Sequence, residues 1–147
     1  MNYYLLYPEV AGELGDGSEV VYEDGQIKEV IFLEYNFMGW LGDELLTTHP
    51  CFIVTESLQN DIILNGLTGV KFNNIAMTFS NEFRDMCGNR KVPKFVQMIC
   101  NDLYESNVEN LQKDFYLNKY KDIIVSEKAL SVLRQHKIDM CDIEKYI

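Results

Sequence analysis

The chain has few basic residues. Lysine and arginine together number 13, against 23 aspartates and glutamates, so the formal net charge is −10. A nucleic-acid-binding protein needs cations to neutralise phosphates, and this balance therefore argues against nucleic acid as a partner. The deficit is concentrated in residues 1–50, which hold ten acids and one base, Lys28, and account for −9 of the total charge.

Long hydrophobic runs are also missing. No apolar run in the sequence approaches the roughly 20 residues that a membrane-spanning helix needs. Residues 1–7 lack the basic region and the small-residue cleavage site of a signal peptide. We therefore expect a cytoplasmic protein with no membrane segment. The 147 residues suffice for a single domain, 1–147, with a substantial core.

Sequence motifs for metal, phosphate or nucleophilic chemistry are scarce. The cysteines and histidines are scattered along the chain: Cys51, Cys87, Cys100, Cys141, His49 and His136. They contain no Cys-x-x-Cys pair and no metal-ligand spacing, and the sequence has no glycine-rich phosphate loop or nucleophile elbow. We expect reduced, mostly buried thiols, no metal and no cofactor. An enzyme that pairs Cys51 or Cys141 with a histidine stays open as an alternative.

One stretch of seven residues occurs twice. Residues 52–58 (Phe-Ile-Val-Thr-Glu-Ser-Leu) return 71 positions later as residues 123–129 (Ile-Ile-Val-Ser-Glu-Lys-Ala). Each copy is an apolar run typical of a buried strand, followed by Thr55 or Ser126, which can accept a hydrogen bond from a free helix N–H. A glutamate then lies in the first turn, where the helix dipole favours negative charge. The pattern predicts a strand–helix unit used twice.

Runs of β-branched and aromatic residues predict further strands at 3–7, 19–22, 27–35, 69–72, 74–79, 93–100 and 114–117. Asp24-Gly25 is the signal of a two-residue hairpin turn, so a hairpin is predicted to carry much of the acidic excess. Asp43 and Ser80 are predicted to cap short helices at 44–47 and 81–86. Residues 101–113 are predicted to form a loop or a weak helix. The predicted fold class is α+β, with a mainly antiparallel sheet, a few short helices and the duplicated unit.

The acidic region lies beside the only tryptophan and indicates a binding surface. Clustered negative charge steers a basic partner, and tryptophan is enriched at binding hot spots. The candidate steering charges are Glu19, Glu23, Asp24, Glu29, Glu34 and Asp43, and the candidate anchor is Trp40. The alternatives are an acidic surface kept for solubility and a tryptophan that packs in the core below a glycine-rich turn.

Several of these stretches resemble a protein family. Residues 40–46 (Trp-Leu-Gly-Asp-Glu-Leu-Leu) and 50–56 (Pro-Cys-Phe-Ile-Val-Thr-Glu), with residues 93–95 and 124–130, are similar to a run found in small immunity proteins of bacterial polymorphic toxin systems. The resemblance covers residues 37–143 and is weaker over the N-terminal hairpin, where such proteins differ most. It implies an intracellular antidote that binds and blocks a cognate toxin domain without catalysis.

The charge of the chain agrees with what the resemblance implies. Many antibacterial toxins act on nucleic acid and are basic, so an acidic antidote would complement such a surface. The expected partner is therefore a basic toxin domain, and neither nucleic acid nor a membrane is expected. The alternative is an acidic adaptor or regulatory module of another cytoplasmic protein.

Overall fold

The structure is a computed structural model that describes residues 2–104 and 112–146. Its elements are β1 Tyr3–Tyr7, β2 Gly12–Leu14, β3 Glu19–Glu23, β4 Gln26–Phe32, β5 Glu34–Phe37, β6 Leu45–Thr48, β7 Cys51–Thr55, α1 Glu56–Leu64, β8 Lys71–Asn73, β9 Ala76–Phe79, α2 Asn81–Cys87, β10 Phe95–Ile99, β11 Phe115–Leu117, β12 Ile123–Ser126, α3 Glu127–Leu133 and β13 Asp142–Lys145. Most strand pairs are antiparallel, so the predicted α+β class dominated by sheet is confirmed. No helix within these described ranges is long and apolar enough to cross a membrane.

The repeated strands, β7 and β12, are inner strands of two similar four-stranded sheets. The strand orders are β6-β7-β10-β8 and β11-β12-β1-β13. In the first sheet Phe95 of β10 lies opposite Thr55, and in the second Tyr3 of β1 lies opposite Ser126. The correspondence extends to the outer strands β8 and β13. The second sheet therefore has the same strand arrangement as the first, but the position of β10 is taken by β1, from the start of the chain.

One core lies between the two sheets and the helices α1 and α3. Phe52 and Val54 of β7 and Val125 of β12 contribute to it, because alternate residues of a strand share a face. Ile53, on the other face of β7, packs in a second core with residues of β5 and α2. All five residues of β7 are consequently buried. Full burial of each such aliphatic or aromatic side chain stabilises the fold by about 1.5–3 kcal/mol.

Thr55 connects the first repeated strand to its helix. Its hydroxyl oxygen accepts a hydrogen bond from the N–H of Leu58 at 3.1 Å, as predicted for a helix cap. The same hydroxyl donates to the Glu44 carboxylate at 2.7 Å. The other oxygen of Glu44 accepts from the N–H of Lys137 at 3.1 Å, and Lys137 lies beyond the second repeated helix. Glu44 thus joins the cap of α1 to the segment that follows α3.

The second unit repeats this arrangement with the roles exchanged. The Ser126 hydroxyl oxygen accepts from the N–H of Ala129 at 3.0 Å and donates to the Asp114 carboxylate at 2.7 Å. Asp114 also accepts from the N–H of Thr68 at 2.9 Å, and Thr68 lies beyond α1. Each carboxylate therefore holds the helix cap of its own unit to the segment that follows the helix of the other unit.

The helix predicted at 44–47 is wrong. Leu45–Thr48 is strand β6, paired antiparallel with β7. The Asp43 carboxylate does not cap a helix here; it accepts hydrogen bonds from the N–H groups of Asp139 and Met140 at 3.1 and 2.8 Å. A strand partner next in the chain and two distant backbone donors outweigh the local capping signal.

Other differences concern where strands begin and end. The single strand predicted at 27–35 is divided at Leu33, so that β4 pairs with β3 while β5 joins β2 and β9. Strands β2 and β13 were not predicted, because each is short and pairs with a strand distant in sequence. Of the predicted loop or weak helix at 101–113, residues 105–111 lie outside the described residues.

The shared role of the caps gives a test of stability. We expect Ser126→Ala to lower the free energy of unfolding by about 1 kcal/mol, because α3 loses its cap. Ser131→Ala is the control, since Ser131 is exposed on the same helix, and it should change stability by less than about 0.5 kcal/mol. Urea denaturation of both variants measures the difference. Equal effects of the two substitutions would contradict the capping role.

Candidate functional site

The candidate site is a hairpin formed by β3 and β4, residues 19–32, called here the hairpin arm. Its turn residues Asp24 and Gly25 have φ angles of 53° and 77°, as a type I′ turn requires. The hairpin predicted from Asp-Gly is confirmed. Within the described residues β3 and β4 pair only with each other. The arm therefore carries strand edges that no other described strand covers.

The hairpin arm presents charge of mainly one sign. Glu19, Glu23, Asp24 and Glu29 are all exposed on it. Its single base, Lys28, lies 3.4 Å from Glu23, and both of these side chains are 62% exposed. An ion pair so open to water is worth little and neutralises only part of the field. Four of the seven predicted site residues thus share one exposed element.

Large apolar side chains accompany these carboxylates on the hairpin arm. Tyr22 is 64% exposed, Ile31 56%, Phe32 39% and Val21 37%. A two-stranded hairpin is marginally stable alone, and clustered exposed apolar groups on a monomer often mark an interaction surface. The sequence analysis did not single out these four residues. A signal was available for Ile31 and Phe32, because the run 27–35 has more apolar positions than a hairpin exposed on both faces needs. The combination of apolar groups and acids suits protein recognition.

Glu34 lies at the root of the hairpin arm. Its N–H donates to the Ser18 hydroxyl oxygen at 2.9 Å, and its carbonyl accepts from the N–H of Gly15 at 2.8 Å. Its carboxylate lies against Gly15 and Gly17, where a Cβ atom would collide with it. Glu34 is therefore half-buried and holds the start and the end of the arm together. Glu34 is therefore better placed to position the arm than to attract a basic partner by its charge.

Trp40 and Asp43 lie inside the protein. Trp40 is 9% exposed, and its indole N–H donates to the Asp43 carbonyl at 2.8 Å. The Arg90 guanidinium lies 4.5 Å from the ring centroid. Asp43 is fully buried, and burial raises the pKa of its carboxyl while the N–H groups of Met140 and Asp139 oppose this rise. Both residues have internal partners, so the core alternative describes Trp40 and neither residue belongs to the exposed candidate surface.

His136 lies between two carboxylates, away from the arm. Its Nδ1 is 3.0 Å from Glu44 Oε1 and its Nε2 is 2.6 Å from Asp61 Oδ2. Burial acts to lower the pKa of His136, but the hydrogen bonds and charges of Glu44 and Asp61 outweigh it, and the pKa is raised from 6.5. Burial acts to raise the pKa of the Glu44 carboxyl, yet hydrogen bonds from Thr55, Lys137 and His136 hold this pKa below 4.5. Both ring nitrogens are occupied, which leaves neither to activate a nucleophile.

The cysteines are free thiols. Burial raises the pKa of Cys51 and Cys100 to about 11 and that of Cys141 to about 12. These thiols are protonated at neutral pH, whereas a cysteine nucleophile works as the thiolate. In the part of the chain that the structure describes, no group of three or more His, Cys, Asp or Glu side chains could hold a metal ion.

Comparison with known proteins adds no family to this description. No family model matches the chain, and no curated protein is a significant match. The functional assignment therefore rests on the chain's own residues.

The His136 cluster predicts how stability depends on pH. Because its folded-state pKa is raised, the stabilisation from His136 is fully present below pH 6.5 and is lost as pH rises through the folded-state pKa. The pKa of Glu44 is lowered, so its stabilisation is present above pH 4.5 and is lost as pH falls through its folded-state pKa. We expect the cluster to stabilise the fold most between these two limits.

Denaturation with urea at a series of pH values from below 4.5 to well above 6.5 checks the prediction. His136→Asn should lower stability most between pH 4.5 and 6.5, and it should remove part of the decline as the pH rises above 6.5. His49→Asn is the matched control, because His49 is exposed, and it should keep the wild-type profile. If His136→Asn and wild type show parallel profiles, the carboxylates do not hold a charged imidazole.

The raised thiol pKa values predict slow alkylation of the folded protein. At neutral pH we expect Cys51, Cys100 and Cys141 to react with iodoacetamide only after unfolding, since they are buried and protonated. Cys87 is half-buried and should react first. Mass spectrometry of alkylated peptides, with urea-unfolded protein as control, measures the order. A single hyper-reactive buried cysteine would restore the enzyme alternative.

Proposed function

We propose that this protein is an immunity protein of a bacterial polymorphic toxin system, which binds and blocks a cognate toxin domain in the cytoplasm without catalysis. The resemblance over residues 37–143 supports the family. The observation that carries the proposal is the hairpin arm, which exposes four acids and four large apolar side chains on one two-stranded element. A basic toxin domain is the partner that this combination fits.

Charge complementarity would act before contact. Two more exposed acids, Glu13 on β2 and Asp16 in the loop after it, precede the arm in the chain. At physiological salt, charges are screened beyond about 8 Å, so clustering on one element keeps the field effective at short range. Such a field raises the association rate with a basic surface more than it raises final affinity.

The apolar side chains would supply most of the binding free energy. Hot spots are typically aromatic groups that become fully desolvated, surrounded by polar groups that contribute less. Tyr22 is the most exposed aromatic residue of the arm and is the leading candidate. The uncovered strand edges of the arm add backbone donors and acceptors that a partner segment can pair with.

Binding to a toxin domain tests the proposal. We expect the gene to lie immediately downstream of a toxin gene, and that toxin domain is the probe. Co-expression of this protein should restore growth of cells that express the toxin domain, and the purified pair should form a complex. The acidic adaptor alternative predicts neither rescue nor complex with that toxin domain, but a stable complex with another cytoplasmic protein.

Two charge-matched variants test the role of the hairpin arm. Glu23→Gln with Asp24→Asn should lower the association rate constant several-fold and flatten its dependence on salt, because steering charge is removed. Asparagine tolerates the positive φ of position 24, so the turn is retained. The control is Glu82→Gln with Asp85→Asn on α2, which removes the same charge from another exposed site. Surface plasmon resonance at several salt concentrations measures both.

The apolar contact is tested in the same complex. Tyr22→Ala should raise the dissociation constant at least about tenfold, mainly through faster dissociation. Leu64→Ala is the control, since Leu64 is 81% exposed at the end of α1. If the Tyr22 and Glu23/Asp24 variants both bind like their controls, the toxin contacts a different surface.

A further inference from the structure

A groove of about 310 Å³ lies between the hairpin arm and the body of the protein. Residues of β4 form one wall, and residues of β7, β8 and β10 form the floor and the other wall. Val30 packs against the body, and the Lys121 ammonium donates to the Ile27 carbonyl at 3.3 Å. The groove thus lies where the arm meets the body, and of the side chains assigned to the proposed toxin contact only Glu29 and Ile31 line it.

Cations converge on this groove in an otherwise acidic protein. Lys28, Lys71 and Lys121 line it, and Glu29 is the one carboxylate among the lining residues. The side-chain ammonium group of Lys71 has no hydrogen bond or ion pair with any described residue. Lys121 lines the groove together with Cys51. The lining therefore carries net positive charge.

The floor of the groove carries an amide with unused hydrogen-bonding capacity. Gln97 is 7% exposed, and its side-chain N–H donates only a long bond to Cys51 Sγ, at 3.7 Å, among the residues described. Asn73 lies opposite it in the β8–β10 pair and also lines the groove. The amide atoms of Gln97 that make no bond are not buried, because Glu9 Oε1 is the one buried side-chain polar atom without a partner among the described residues. They face the groove, where a polar group from outside the chain can bond them.

The walls add apolar surface beside these polar groups. Phe52, Ile99, Val30 and Leu117 line the same groove. A ligand would therefore meet cations at one part of its surface, amides at another and aliphatic or aromatic groups elsewhere. Small-molecule sites combine a mainly apolar lining with a few polar groups in this way, and about 300 Å³ is the lower end of their size range.

We propose that this groove binds a small organic monophosphate. Lys71 and Lys121 hold the phosphate as point charges. The Gln97 amide bonds a polar group of the organic part, and Phe52 with Ile99 covers its apolar surface. Nucleoside monophosphates and sugar phosphates both have this chemistry. The site is independent of the proposed toxin contact except at Glu29 and Ile31, which belong to both.

Titration calorimetry at low ionic strength tests the site in the wild-type protein. The probes are adenosine monophosphate, ribose 5-phosphate, inorganic phosphate and adenosine. We expect an organic monophosphate to bind with a 1:1 stoichiometry, at least about tenfold more tightly than inorganic phosphate. A preference between the first two probes identifies the organic part. Absence of binding by both, or equal affinity for inorganic phosphate, would overturn the proposal.

Matched lysine variants test where the phosphate lies. Lys71→Gln with Lys121→Gln should weaken binding at least about tenfold. Lys91→Gln with Lys128→Gln, which removes the same charge from other exposed positions, should leave it within about twofold. Equal losses in the two pairs would mean unspecific attraction and would refute the site. Lys71→Gln alone, with a circular dichroism spectrum as check of folding, replaces the pair if the double variant does not fold.

Glu29 separates this inference from the proposed function. Glu29→Gln should strengthen organic phosphate binding several-fold, because it removes the groove's carboxylate, while it slows toxin association by removing a steering charge. Stronger phosphate binding with an unchanged toxin rate supports the groove and contradicts the toxin contact. Unchanged or weaker phosphate binding contradicts the groove, whatever the toxin rate.

Discussion

The fold depends on two half-buried carboxylates that each hold both repeated units. Glu44 accepts the cap hydroxyl of α1 and a backbone N–H beyond α3, and Asp114 does the reverse. Because the donors come from both units, neither helix can be displaced without breaking charge-assisted hydrogen bonds in the other unit. The helices are thereby fixed over one shared core. His136 strengthens the link on the Glu44 side.

This scaffold explains why the hairpin arm can be the recognising element. The duplicated sheets and their helices bury their own apolar faces, whereas the arm is connected to them through Ser18 and Glu34 at its root, Val30, and Lys121. Ordering costs for a binding loop fall when a rigid body holds it in place. The type I′ turn fixes the tip in the same way. The protein thus combines a preorganised root with exposed, chemically mixed side chains.

The sequence predicted those parts that are set by local chemistry. The repeated hydroxyl residue before a glutamate located both units and their caps, and Asp24-Gly25 located the arm, because these signals act within a few residues. It failed where a distant partner decides the outcome. Asp43 binds backbone groups nearly a hundred residues away instead of capping a helix. The burial of Trp40 and the placement of Lys71 and Lys121 around one groove likewise depend on the tertiary fold.

Strands β1 and β13 are neighbours in one sheet, and this affects how the protein folds during synthesis. Tyr3 pairs with Ser126, so the sheet closes only when segments from opposite ends of the chain meet. Contacts this far apart in sequence slow folding, since a long loop must be ordered first. On the ribosome the first sheet can assemble early, while β1 waits with an open edge until the last third of the chain has been synthesised. During that period the unpaired edge of β1 can pair with a strand of another chain.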